Sequence, residues 1–404
     1  MLSASNSIGI ATMGIPEPIL CTSGPAMGIP SPVRSGARQE MRELQQICSV
    51  KDEHAEVTLA TPLCKVNVAI LLCRFAGGPP AARVLAASCK TVHAANLQDV
   101  CPSRLYVVGG LDSDYRVVDT VERYDPLTGS WESLPSLKSA RAGSSAVALA
   151  GRLYILGGEV AGHALNDVLR FDPWVGCWET LPSMHQGRIR AAATDGGGCI
   201  FVLGGFDGTR PLNSVECFDA HKLAWQEMPA MVRPRYAGIA STQSQWIFAI
   251  GGELTDAGIK TSIERYDRTT RVWEVLPSVQ QPHFGAAMTL AASGCAAITL
   301  GGLSLSGQAL SVSKQITLEG LMTSNSEDDE DISPRWTGLP PMPTPRHMAS
   351  ATSYYGGAAA IGGKGSRFEV VANVEIFDPE TWNWEVLPPL PSPRLRAAVV
   401  SGCL

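Results

Sequence analysis

Six short apolar runs in the last three quarters of the chain each end in a pair of glycines, and this repetition constrains the fold more than any other feature. The runs read RLYVVGG, RLYILGG, CIFVLGG, WIFAIGG, AAITLGG and AAAIGG, with the pairs at Gly109-Gly110, Gly157-Gly158, Gly204-Gly205, Gly251-Gly252, Gly301-Gly302 and Gly362-Gly363. Their spacings are 48, 47, 47, 50 and 61 residues. A fixed period of this length marks an array of one supersecondary unit.

Further markers keep step with the glycines. An aromatic-Asp pair follows at Tyr124-Asp125, Phe171-Asp172, Phe218-Asp219, Tyr266-Asp267 and Phe377-Asp378. Seven residues after each aromatic stands a tryptophan, at Trp131, Trp178, Trp225, Trp273 and Trp384, with Trp336 as a sixth. Ten residues past the tryptophan come Arg141, Arg188, Arg235, Arg346 and Arg394, with His283 in the fourth copy. The apolar runs are short, rich in β-branched residues and bounded by turn residues, so they read as strands. Paired glycines at a strand end permit positive φ and close backbone approach. One large tryptophan per unit fills the space between neighbouring sheets. A unit of about 47 residues cannot bury both faces of its sheet alone, and radial repetition solves that problem.

The third unit, GGFDGTRPLNSVECFD (Gly204 to Asp219), closely resembles the kelch repeat. The resemblance implies an all-β fold, a six-bladed kelch β-propeller over residues 101–404. It is preceded by a low-order N-terminal segment, residues 1–100. Kelch propellers often close by lending a terminal strand to the opposite terminal blade. Residues 395–404 are therefore expected to close blade one, with Ala397 to Ser401 as its innermost strand.

The fifth unit departs from the pattern. Ile316 stands where the aromatic belongs, and twenty residues separate it from Trp336 instead of seven. The extra residues hold Ser324, Asn325 and Ser326 before the acidic run Glu327 to Asp331, which repels itself and reads as a solvated loop. Ser324 and Ser326 are candidate phosphosites of an acidophilic kinase.

The resemblance also implies a protein-interaction scaffold or substrate-recognition adaptor, binding on the face made by loops after the Gly-Gly strand and around the repeat arginine. Carried onto this chain, one set of positions is Asp112, Glu159, Phe206, Glu253, Ser304 and Lys364. The partner-binding set is Arg188, Arg190, Arg235, Tyr236, His283, His347, Arg394 and Arg396. Several arginines on one rim suit carboxylates held bidentately, so the expected partner is a protein or peptide of acidic character. For Arg141, Arg235 and Arg346, a structural role in tying loops together is the equal alternative.

Ubiquitin-ligase substrate recognition and actin association are both family-level possibilities. The first hundred residues carry no recognisable BTB domain, and one aromatic, Phe75. The alternative class is a kelch-fold enzyme, a metal-dependent oxidase or a sugar epimerase. His163, His185, His221, His283 and His347 are scattered over four repeats without ligand spacing, so no metal, cofactor or catalytic residue is expected. A formal charge of −6 gives nucleic acid no general electrostatic hold. The apolar runs are too short for a membrane span. Eleven cysteines without a Cys-x-x-Cys pair read as reduced thiols. These features point to a cytoplasmic monomer, with a nuclear site and an organelle transit peptide also open.

Overall fold

The structure is a computed structural model. It describes residues 103–404 apart from 256–257, 280–282, 292–293, 295 and 319–335. The N-terminal segment and the acidic run with Ser324 and Ser326 lie outside the described residues.

Among the described residues, six antiparallel sheets of the same plan follow one another, so the fold is a six-bladed propeller. Blade two shows the plan: Ser145–Leu149 innermost, then Arg152–Leu156, Val168–Asp172 and Cys177–Leu181 outermost. Blade three runs from Ala192–Gly196 to Ala224–Met228, blade four from Ile239–Gln243 to Val272–Val279, blade five from Ala287–Leu290 to Thr337–Leu339, and blade six from Ser350–Tyr354 to Asn383–Leu387. Blade one takes its innermost strand from the far end of the chain. Ala398–Gly402 pairs antiparallel with Arg104–Val108, from Val108↔Ala398 to Arg104↔Gly402. Val121–Asp125 and Ser130–Leu134 complete that blade. The six innermost strands neighbour one another in order and return to blade one, closing a ring.

The core is not one mass but six, each between adjacent blades. Between blades two and three, for example, Tyr154, Leu156 and Val168 meet Ile200, Val202 and Phe218. A repeat tryptophan packs against each of these cores, and in five of them it makes the same two contacts. Its ring packs on the aromatic of its own blade, as with Phe218 and Trp225 at 5.0 Å. Its indole N–H donates to a proline carbonyl of the preceding blade, as from Trp225 to Pro182 at 2.8 Å. Trp225→Phe keeps the ring and removes that donor. It is expected to cost about 1 kcal/mol in urea unfolding, far less than loss of the whole side chain.

The glycine pairs act where the chain turns from the second strand of each blade towards the third. Gly110 has φ +102° and donates its N–H to the Arg141 carbonyl at 2.8 Å. A Cβ there would lie 2.8 Å from the Leu395 carbonyl oxygen, so no other residue fits.

Candidate binding face

The repeat arginine joins each blade to the next. Its backbone is held by the blade it follows: Gly205 donates to the Arg235 carbonyl, and the Arg235 N–H donates to Leu212. Its side chain reaches forward into the following blade. Arg235 donates to the carbonyls of Gly251 and Ser262 at 2.9 and 3.1 Å and pairs with the buried Glu264. Arg188 donates to Gly204 at 2.6 Å and pairs with Glu216 at 2.9 Å. Arg394 closes the ring, donating to Gly109 at 3.1 Å and pairing with Glu122 at 2.6 Å. Arg346 pairs with Glu375 in the same way at 2.6 Å. Blade two has Leu169 where blades one, three, four and six carry this acid, and Arg141 turns instead to Asp167 at 2.7 Å.

This geometry corrects part of the expected binding set. Arg188, Arg235 and Arg394 are buried and each is paired with a glutamate of the next blade, so they offer no guanidinium to a ligand. Burial alone would push the Glu216 carboxyl up. Hydrogen bonds from the His185 N–H and Arg188 more than offset it and hold the carboxyl below its ordinary range.

Two residues beyond the repeat arginine the chain takes a left-handed turn in every blade. The residues are Gly143, Arg190, Ala237, Gly285, Met348 and Arg396, with φ between 51° and 67°. Backbone bonds link several of them around the ring: Gly143 donates to Arg396, Arg190 to Gly143, Ala237 to Arg190 and Met348 to Gly285. The turn leads directly into the innermost strands, which line an axial cavity of about 370 Å³ with small side chains such as Ser145, Ala146, Ala192, Ala193 and Ser350. Arg190 and Arg396 therefore stand at the mouth of this cavity.

Their environment differs from that of the repeat arginines. Arg190 lies half-buried, and its side chain makes no hydrogen bond among the described residues. Its stem passes over Gly143, where a Cβ would come within 3.1 Å of Arg190 Cγ. Burial first, and the nearby Arg396 charge second, hold its guanidinium below the ordinary value. Arg396 donates to Glu159 at 3.2 Å, while its Nε has no partner. Two positive charges thus share one carboxylate. Tyr236 packs against Phe206 with ring centroids 5.7 Å apart.

The remaining positions fall elsewhere on the same loops. His347 is buried, edge-on to Phe368 at 5.9 Å. Burial and then Lys364 keep its imidazole below the ordinary value. Lys364 itself lies 4.5 Å from the Tyr115 ring centroid. Asp112 is spent on its own turn, accepting from the N–H groups of Asp114 and Arg116. Ser304 accepts from the Gln308 N–H. The side chain of Glu253 lies outside the described residues. His283 stands at the entrance to blade five, with no side-chain hydrogen bond among the described residues. Among the described residues, no group of three or more His, Cys, Asp or Glu side chains converges to hold a metal ion. No described helix is long and apolar enough to cross a membrane.

The model of the KLHDC2/KLHL20/DRC7 Kelch-repeats domain matches residues 92–302. Beta-scruin of Limulus polyphemus is 27% identical over 135 residues. That alignment takes in 32% of this chain and 14% of the length of beta-scruin.

Proposed function

Because the chain belongs to the kelch-repeat family, in the group of the KLHDC2/KLHL20/DRC7 Kelch-repeats domain, we propose that its propeller is a protein-interaction scaffold whose cavity mouth takes an acidic side chain of a peptide or protein partner. The observation that carries this reading is Arg190. A half-buried guanidinium beside a second one, with no hydrogen bond of its own among the described residues, is a donor set without an acceptor. An incoming carboxylate supplies that acceptor, and arginine's planar fork suits it. Glu159 balances one of the two charges, which leaves the mouth cationic on a protein of net charge −6. Tyr236 and Phe206 add the aromatic surface on which interface hot spots commonly rest.

The test is a peptide array probed with the full chain, in which each Asp- or Glu-bearing peptide is paired with its amide counterpart. Acidic members are expected to bind and their amides to fail. Arg190→Ala/Arg396→Ala should weaken the acidic binders by about ten- to a hundred-fold, the cost of removing a partially desolvated charge pair. An array that the variant reads like the wild type would remove the mouth from consideration.

A further inference from the structure

The junction between blades four and five lacks the links that hold the other five together. His283 replaces the repeat arginine. On the receiving blade, the position that holds Glu122, Glu216, Glu264 and Glu375 elsewhere is Lys314, opposite Thr299 and two residues before the glycine pair. At blade two, where that acid is also missing, Asp167 takes over the arginine. At blade five nothing does: neither Lys314 nor His283 has an acidic partner among the described residues. The outer edge is open as well. The indole N–H of Trp336 is buried without an acceptor among the described residues, whereas Trp131, Trp178, Trp225, Trp273 and Trp384 each donate to a proline carbonyl of the blade before.

The groups left at this junction are all of one kind. His283 and Lys314 are cation-forming groups near enough that the lysine charge, after burial, holds the imidazole below its ordinary value. What the site lacks is an acceptor of negative charge. Immediately beside it on the loop face, Phe284 is half exposed and Leu305 fully exposed, and the Leu303 N–H donates to the Phe284 carbonyl, which joins their two loops. Exposed apolar groups next to an unmatched lysine charge and an imidazole donor describe a surface for a chain carrying both a carboxylate and an apolar side chain.

We propose that the junction between blades four and five is a docking surface for an acidic peptide segment of a partner protein, whose carboxylate enters between His283 and Lys314 where an internal glutamate stands in four other blades. An apolar neighbour of that carboxylate packs on Phe284 and Leu305. The proposal rests on the reading that the loop face takes an acidic chain. It adds a second subsite, because blade five lies across the ring from the Arg190 and Arg396 pair on blades three and one.

The experiment uses fluorescence anisotropy with the full chain and a fluorescein-labelled eight-residue peptide of alternating Leu and Glu, beside its Leu and Gln counterpart. His283→Arg/Lys314→Glu builds the internal pair found at the other junctions, so the protein should melt no lower than wild type. Its affinity for the Glu peptide should fall about ten-fold, since the cationic opening is now filled from within. Lys314→Met, which keeps the stem and drops the charge, should weaken binding in the same direction. If both variants hold the Glu peptide as tightly as wild type while Arg190→Ala/Arg396→Ala loses it, the junction is not a subsite and the mouth reading stands. Loss in the junction variants alone would support the junction and overturn the mouth. Failure of the wild type to prefer Glu over Gln overturns both.

Discussion

Deleting residues 398–404 is expected to replace a single cooperative unfolding transition with a broad, low-temperature one. The segment supplies the innermost strand of blade one, five paired positions opposite Arg104–Val108. It also sits between two cores. Val399 packs with Leu105 and Val107 against blade six, while Ala398, Val400 and Leu404 pack against blade two. Without it, the ring is left open between blades six and two, and Arg104–Val108 becomes an unpaired edge in a buried setting. A closed repeat array depends on each neighbour covering the next, so the loss should approach the whole stability of a domain, about 5–15 kcal/mol. Circular dichroism melts and urea titrations read this directly. A synthetic peptide of residues 395–404 added in trans should restore part of the transition. A deletion that melts like the full chain would mean that the ring does not need its closing strand.

Arg346→Ala is expected to cost about 3–5 kcal/mol, the cost of leaving one member of a buried ion pair alone. Arg346 and Glu375 are both 0% exposed, and the guanidinium also donates to the Asn373 and Gly362 carbonyls at 2.9 and 3.3 Å. Removing it strands a carboxylate in the junction between blades five and six and two backbone acceptors with it. For a domain of this size the melting temperature should drop by roughly ten degrees. Arg346→Met/Glu375→Leu should recover much of that loss, because replacing both charges with apolar groups avoids the unpaired carboxylate. If Arg346→Ala costs no more than a surface substitution, the pair is not what binds these blades.

The architecture was legible because its determinants are local and repeated. Gly109 and Gly110 must adopt positive φ, and Trp131 must fill an inter-blade gap, whatever the rest of the chain does. Each such requirement recurs at a near-constant period, so the blades can be counted without coordinates. The binding face was less legible. The repeat arginines share one sequence spacing with residues that differ wholly in environment. Arg188 and Arg190 are two positions apart, yet one is sealed against Glu216 and the other stands at the cavity mouth. Nothing in the local pattern distinguishes them, because the acid that claims Arg188 lies 28 residues further on, in another blade. A signal was nevertheless present: glutamate recurs two residues before the aromatic-Asp pair at Glu122, Glu216, Glu264 and Glu375, in register with the arginine that it receives.

The sequence by itself determined that this chain repeats a four-stranded unit six times, since strand patterning, glycine pairs and tryptophans act within one unit and need no partner to be recognised. Only the tertiary structure decided which charges are spent and which remain. Closing the ring brings Arg141, Arg188, Arg235, Arg346 and Arg394 to acids of the next blade, leaves Arg190 without an acceptor among the described residues, and sets His283 against Lys314 where an ion pair stands at the other junctions. The physical reason is range. A backbone turn is set by neighbours along the chain, whereas the fate of a guanidinium depends on which carboxylate the closed ring places within about 3 Å of it.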